Sequence, residues 1–295
     1  MRTPPSLGPV GLWTGRLQRM PIDRIREAAG EIDSLGYGAL WLPESPSGRD
    51  VLTYAAVVLA ATPRIPVATG IAIIWVRDPV AAASAARTLD EAFPGRFVLG
   101  LGVSHESTAV LRGHEYRSPM AAMRTYLEAI AGSTYDGHDH AVPPVLLAAL
   151  GPRMLALSVE LAAGAHPFLA PVSHTATARE ILGGGAFLAP ELGVIPTSDP
   201  DVARGTARPY IERFLAWPNY RRHLLRSGYA EADLEHGGSD RLVDDLFAWG
   251  PDDAIRGRVE EHLQAGADHV AVQVVPPDGE DWMEGTRRLA PILLD

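Results

Sequence analysis

Short apolar runs alternate with stretches of helical spacing along almost the whole chain. Residues 10–14 read as a strand, and from Pro21 the positions Ile22, Ile25, Ala29, Ile32 and Leu35 recur at a helix's period until Gly36 stops it. The unit then repeats. Residues 39–42 form a second strand and 50–61 a helix, while 67–75, rich in Val and Ile, form a third strand. Asp78-Pro79 is an N-cap with Pro at the first helical position, and its helix runs to Phe93 before Pro94-Gly95. Residues 97–101 are continuously apolar, which suits a strand covered on both faces in a parallel sheet.

The alternation continues after a loop through Arg112-Gly113-His114. A helix over 119–131 leads to a fifth strand at 145–149, and Gly151-Pro152 opens the next helix. Weaker sixth and seventh strands fall at 164–170 and 185–189, with a short helix over 175–182 between them. From 199 to 263 the pattern is helix after helix, broken at Trp217-Pro218-Asn219 and Gly237-Gly238. An eighth strand at 269–275 and a helix over 282–294 close the chain. Eight such units predict one domain over 1–295, an α/β (β/α)8 TIM barrel with a long helical insertion between strands 7 and 8. A doubly wound open sheet is the alternative.

In a barrel, reactive groups lie where strands end at the carboxyl face. Trp13-Thr14, Glu44-Ser45, Ile74-Trp75, Gly102 to Glu106, Gly151, Pro171 to Thr175 and Gln273 meet that criterion. Gly100 and Gly102 remove side chains where the fourth strand leaves the sheet, and Val103, Ser104 and His105 follow, a mouth suited to a flat ligand. Two glycines that merely ease a turn are the plain alternative. The third glycine of a dinucleotide fingerprint is missing, so a nicotinamide site is not supported.

Two side chains are candidates for acid and base work. Glu44, beside Trp41 and Trp13, has the setting of a general base or substrate anchor, or else of a structural partner for Arg77. His105 can donate a proton or hydrogen bond, or be an ordinary loop histidine. Gly151-Pro152 and Ser173-His174-Thr175 precede helices, so free backbone N–H groups there can receive phosphate; capping alone would also explain Ser173 and Thr175. His138-Asp139-His140 has the look of a metal pair but enters the fifth strand from the opposite face, so it reads as a solvated loop and no metal is expected.

Composition narrows the chemistry. With 46% hydrophobic and 21% charged residues, a net charge of -10 and no bilayer-length apolar run, nucleic acid and membrane are not expected partners. The first six residues lack a signal-peptide core, so a cytoplasmic location is expected. There is no cysteine, and all 26 basic residues are Arg. Disulfides, thiolate catalysis, Schiff-base chemistry and the lysine phosphate loop are therefore excluded. Cofactor chemistry, His or carboxylate acid–base chemistry, or binding alone remain.

Several phrases together resemble the luciferase-like flavin and deazaflavin oxidoreductases, in the branch that uses coenzyme F420. They are Leu35-Gly-Tyr-Gly-Ala-Leu-Trp-Leu-Pro-Glu44, Ala68-Thr-Gly-Ile71 with Arg77-Asp-Pro79, Gly95-Arg-Phe-Val-Leu-Gly-Leu-Gly102, Ala148-Ala-Leu-Gly-Pro152 and Ala265-Gly-Ala-Asp-His-Val-Ala-Val-Gln273. Pro218-Asn-Tyr-Arg-Arg222 with residues 237–244 resembles an actinobacterial-type subgroup. The resemblance implies a tricyclic ring over the carboxyl mouth, its phosphate near strands five and six, and a non-proline cis peptide in strand three, for which Gly70-Ile71 is the bond chosen. It implies that Trp13, Trp75 and residues of the helical insertion line the pocket. Relatives often show Glu-His or Asp-His after strand two. Here Glu44 is followed by Ser45-Pro46, which shifts the expected acid–base role to His105 and Glu44.

The implied activity is F420-dependent hydride transfer to or from a small organic substrate, in a homodimer. The alternatives are a two-component FMN monooxygenase, which needs a separate flavin reductase, and a barrel that binds the cofactor without turnover.

Overall fold

A computed structural model describes residues 7–136 and 140–294. Its strands are β1 (Val10–Trp13), β2 (Leu40–Leu42), β3 (Val67–Thr69), β4 (Ala72–Ile73), β5 (Phe97–Gly102), β6 (Val145–Leu147), β7 (Gly164–Ala165), β8 (Phe187–Leu188), β9 (Glu191–Val194), β10 (Phe247–Ala248) and β11 (Val270–Val274). All pair in parallel in the order β10-β9-β11-β1-β2-β3-β5-β6-β7-β8, with β4 on β5. The order begins at β10 and ends at β8. β8 pairs with β7 and β9 pairs with β11, and only Ala189-Pro190 separates β8 from β9 in the chain, so the parallel sheet curls.

Side-chain alternation explains the curl. Val10, Leu12, Val67, Phe97, Leu99, Val270 and Val272 point outward into the main core beneath the helices. The opposite face carries Trp13, Trp41, Ala68, Val98, Leu146 and Ala271, a small inner core in which two indoles are matched by small residues. Strands buried on both faces read as continuous apolar runs, which is why they were visible in the sequence.

Three departures from the expected eight strands have local causes. The third strand divides into β3 and β4 at a cis peptide bond between Gly70 and Ile71, the bond expected from the resemblance. The expected seventh strand at 185–189 holds only β8, and an unanticipated strand, β9, follows Pro190, which has no N–H to give to the ladder. The stretch expected to be wholly helical contains β10, whose two residues pair with Gly193 and Val194 on the edge of β9 that β7 leaves uncovered. Two residues are too few to show a period. That stretch therefore holds helices Pro200–Leu215, Pro218–Arg226 and Asp240–Leu246, then β10, then helix Asp252–Gln264.

Helix starts follow the expected chemistry. Asp78 accepts from the N–H groups of Val80 and Ala81, both at 3.0 Å, and Pro79 takes the first helical position. A helix at Glu106–Leu111 was not anticipated. Among the described residues no helix is long and apolar enough to cross a membrane, and no group of three or more His, Asp or Glu side chains is placed to hold a metal ion. His138 and Asp139 lie outside the described residues, while His140 Nε2 is 2.8 Å from Asp90 Oδ2.

Candidate active site

A cavity of about 750 Å³ opens where the first six strand positions of the curled sheet end. Its floor is built around the bulge between β3 and β4. Trp13 Nε1 donates to the Gly70 carbonyl (3.0 Å), Gly70 N donates to the Leu42 carbonyl (2.8 Å), and the Ile71 carbonyl accepts from Glu44 N (3.2 Å). The bulge is thus tied to β1, β2 and the loop after β2. Half-buried Ile71 projects into the space and forms part of its wall.

Glu44 holds that bulge in place. Its side chain is 2% exposed and pairs with Arg77, while Oε2 accepts from Ile73 N (2.7 Å) and Oε1 from Val51 N (3.3 Å). Arg77 also reaches Asp50 Oδ2 at 2.7 Å. Glu44 reaches the cavity wall, but its carboxylate oxygens are engaged by Arg77 and two backbone N–H groups.

His105 also lines the cavity, at the start of helix Glu106–Leu111. Its ring stacks on Trp217, and Tyr220 lies 6.0 Å away. Burial pushes its pKa down to about 4, with the Asn219 side chain opposing the shift. The imidazole is therefore neutral at pH 7, a weak base placed to give or take a hydrogen bond. Ser104 beside it has φ 51°, and its carbonyl accepts from the Tyr116 hydroxyl at 3.1 Å, which fixes the turn out of β5.

The far end of the cavity is cationic. Gly151 caps helix Pro152–Leu161, and Arg226 Nη2 lies 3.6 Å from where a side chain on Gly151 would begin. Arg153 and Arg222 also line the cavity, and among the described residues no carboxylate pairs with these three arginines. A helix N-terminus with three guanidinium groups favours an anion.

Trp13, Glu44, Gly70, Ile71, Val103, Ser104, His105, Gly151 and Pro152 therefore share one cavity. Six expected residues do not line it. A side chain at Gly100 would run into the Thr69 carbonyl, and one at Gly102 would come within 2.6 Å of Ile71 Cδ1. These glycines accommodate the bulge itself and leave ligand contact to Ile71. Trp75 turns its Nε1 onto the Val103 carbonyl (2.6 Å) and packs by His114 and Tyr116, behind the wall. Ser173 is exposed on the outer side of helix Val172–Leu182. His174 and Thr175 are buried beneath that helix, where His174 Nε2 donates to the Leu150 carbonyl (3.1 Å) and Thr175 pairs with His262 Nδ1 (2.8 Å). His174 thus steadies the turn that carries Gly151.

Sequence reasoning missed His166, Phe168, Phe214, Tyr220 and Arg226. His166 directly follows β7, at the carboxyl end that had been the criterion. Asn219, Arg222 and Arg226 recur at spacings of three and four on one helix, a face legible once that helix is assigned. Glu191 in β9 was also overlooked. Wholly buried, with one oxygen accepting from Leu169 N (3.1 Å), it has its pKa raised to about 8 and is protonated at neutral pH.

A second cavity of about 980 Å³ shares Trp13, Pro43, Glu44 and Phe214 with the first. Arg16, Arg19, Arg213 and Gln273 line it, and Gln273 Oε1 accepts from the Tyr210 hydroxyl (2.8 Å). The two spaces give the site one largely apolar lobe and one polar lobe.

The family model for luciferase-like monooxygenase matches residues 6–269. The chain is 26% identical over 161 residues to a 5,10-methylenetetrahydromethanopterin reductase of Methanolobus tindarius, covering 49% of each protein. It is 24% identical over 289 residues to the enzyme of the same name from Archaeoglobus fulgidus, covering 82% of this chain and 87% of the relative. Among solved structures, it resembles the coenzyme F420 dependent tetrahydromethanopterin reductase of Methanopyrus kandleri (TM-score 0.74, 17% identity, 97% of this chain and 99% of that one). It also resembles an F420-dependent secondary alcohol dehydrogenase in complex with an F420-acetone adduct (TM-score 0.74, 14% identity, 97% and 99%). The oxygenating constituent of 3,6-diketocamphane monooxygenase from Pseudomonas putida, in complex with FMN, is a further likeness (TM-score 0.68, 17% identity, 95% and 94%).

Proposed function

Because the chain belongs to the luciferase-like monooxygenase family, we propose that it is an F420-dependent oxidoreductase acting on a small organic substrate. The observation that carries this reading is the pairing, within one cavity, of an apolar slot at the Gly70-Ile71 bulge with a cationic end at Gly151 and Arg226. The slot fits a planar heterocycle and the cationic end fits a phosphate. Trp13, Gly70, Ile71, Val103 and Ser104 would hold the ring; Gly151, Pro152, Arg222 and Arg226 would hold the phosphate.

Bound there, a deazaflavin supplies hydride and no oxygen activation, because its fifth position is carbon. The residues of this chain orient and shield. Ile71 and Trp13 exclude water from one side of the slot, while His105, neutral and stacked on Trp217, donates a hydrogen bond to the substrate oxygen, and the proton that balances hydride transfer is exchanged with solvent. Glu44 positions the bulge through Ile73 N, and the polar lobe with Gln273 and Arg213 admits the substrate. The curled sheet serves as a closed (β/α)8 barrel, the chain works as a homodimer, and its location is cytoplasmic.

The FMN-bound structural likeness favours a second reading, a two-component FMN monooxygenase supplied by a separate flavin reductase. Anaerobic mixing with reduced F420 and a panel of ketones, aldehydes and enones distinguishes the two. Oxidation of the deazaflavin without oxygen supports the first reading. Oxygen uptake with reduced FMN and none of that oxidation supports the second.

A further inference from the structure

Two buried histidines contact the Trp41 indole inside the curled sheet, and one of them is fully occupied. His269 donates from Nδ1 to the Gly8 carbonyl (2.8 Å) and accepts at Nε2 from Trp41 Nε1 (2.9 Å). His166 stacks on the same indole, ring centroids 4.3 Å apart and planes 16° from parallel. Its Nδ1 lies 2.6 Å from the Ala189 carbonyl oxygen. A carbonyl only accepts, so the proton sits on Nδ1 and Nε2 carries a bare lone pair.

That nitrogen has no partner among the described residues, although the residue is 1% exposed. Buried polar atoms are ordinarily satisfied; His174, His223 and His262 also carry an unpartnered ring nitrogen, but of these histidines His166 alone lines the cavity. His166 lines the same cavity as Trp13 and Ile71. Its Nε2 is 3.1 Å from the point where a side chain on Gly70 would begin, so any residue but glycine there would press on the lone pair. The ring cannot turn away, because stacking and the Ala189 bond fix its plane and tautomer.

We propose that His166 Nε2 accepts a hydrogen bond from the ring imide N–H of the planar heterocycle that fills the cavity. This rests on the cofactor reading above, and it holds for deazaflavin and flavin alike, since both carry a –CO–NH–CO– edge. An acceptor fixed on the cavity floor selects a neutral donor, and a flat ring lying on Ile71 presents its edge to that floor. Burial keeps the imidazole neutral, with its pKa near 4, so Nε2 remains an acceptor at physiological pH.

The test compares F420 and FMN with the same ligands methylated at the imide nitrogen, binding each to the wild-type protein and to His166→Phe by fluorescence quenching. Methylation is expected to weaken binding to the wild type about tenfold and to leave binding to His166→Phe unchanged. The same methylation penalty in both proteins overturns the proposal and leaves the cofactor reading standing. If no ligand binds the wild type, both fall. Should His166→Phe fail to fold, 15N spectra of the wild type decide the matter. The His166 Nε2 resonance moves when the parent ligand is added and stays still with the methylated one, and a resonance that ignores both overturns the proposal.

Discussion

The imidazole of His105 lies flat against the indole of Trp217, ring centroids 3.8 Å apart and planes 8° from parallel. The indole comes from the turn before helix Pro218–Arg226, so a residue distant in sequence helps set the protonation state of the group at the mouth of the cavity. Removing it opens the imidazole to water and relieves the burial that lowers its pKa. In Trp217→Ala the His105 pKa is expected to rise from about 4 toward the ordinary value of about 6.5, read from the pH dependence of its ring proton resonances. A value that stays near 4 would mean the other neighbours suffice.

The pair of Glu44 and Arg77 is structural in geometry, with side chains 2% and 10% exposed. Arg77→Met leaves the Glu44 carboxylate buried without its counter-charge, at a cost of about 3 kcal/mol of unfolding free energy in urea titrations. A loss under about 1 kcal/mol would show that the bulge does not depend on it.

Gly100→Ala drives a methyl group into the Thr69 carbonyl, whereas Gly132→Ala, at a helix end, meets nothing within 4 Å. The first is expected to cost about 2 kcal/mol and the second to be neutral or slightly stabilising, measured side by side by thermal denaturation. Equal melting temperatures would contradict the close approach of β3 and β5.

These glycines also show where the sequence was legible and where it was not. The outward apolar residues of the strands follow a simple period, so the alternating α/β plan and the strand-end rule brought nine expected residues to one cavity. Gly100 and Gly102 were equally visible, but a glycine does not say what approaches it. Here it is the neighbouring bulge and not a ligand. Trp75 sits at a strand end, yet its indole N–H is claimed by the Val103 carbonyl, a choice only the tertiary structure reveals. His174 and Thr175, expected just before a helix, lie inside its first turn and face inward, toward Leu150 and His262. His166 and Arg226 satisfy criteria already in hand and were missed because a two-residue strand and a short helix give weak periods.

Stability depends on pH through opposing groups. Burial lowers the pKa of His105, His166, His174, His223, His262 and His269 in the folded state. The unfolded chain therefore binds more protons below about pH 6.5, and stability falls as the pH drops toward 4. Glu191 acts the other way. Its folded pKa is raised to about 8 from 4.5, so the stability it contributes is complete below 4.5 and is lost as the pH rises to 8. The melting temperature is expected to peak near neutrality, and Glu191→Gln to flatten the alkaline side. A steady rise from pH 6.5 to 8.5 in the wild type would contradict this.

The cationic end of the cavity predicts a ligand-specific effect. Arg226→Ala is expected to weaken binding of the phosphorylated cofactor about tenfold at low salt, and to leave binding of the ring without its phosphate unchanged. Equal losses for both ligands would place Arg226 outside the phosphate site.

The most direct test of the account is a fluorescence titration of the purified protein with F420 and, separately, with FMN. Saturable quenching of F420 at micromolar protein is expected, tighter than for FMN, with competition between the two for one site. Absence of F420 binding at those concentrations, or binding of FMN alone, would contradict it.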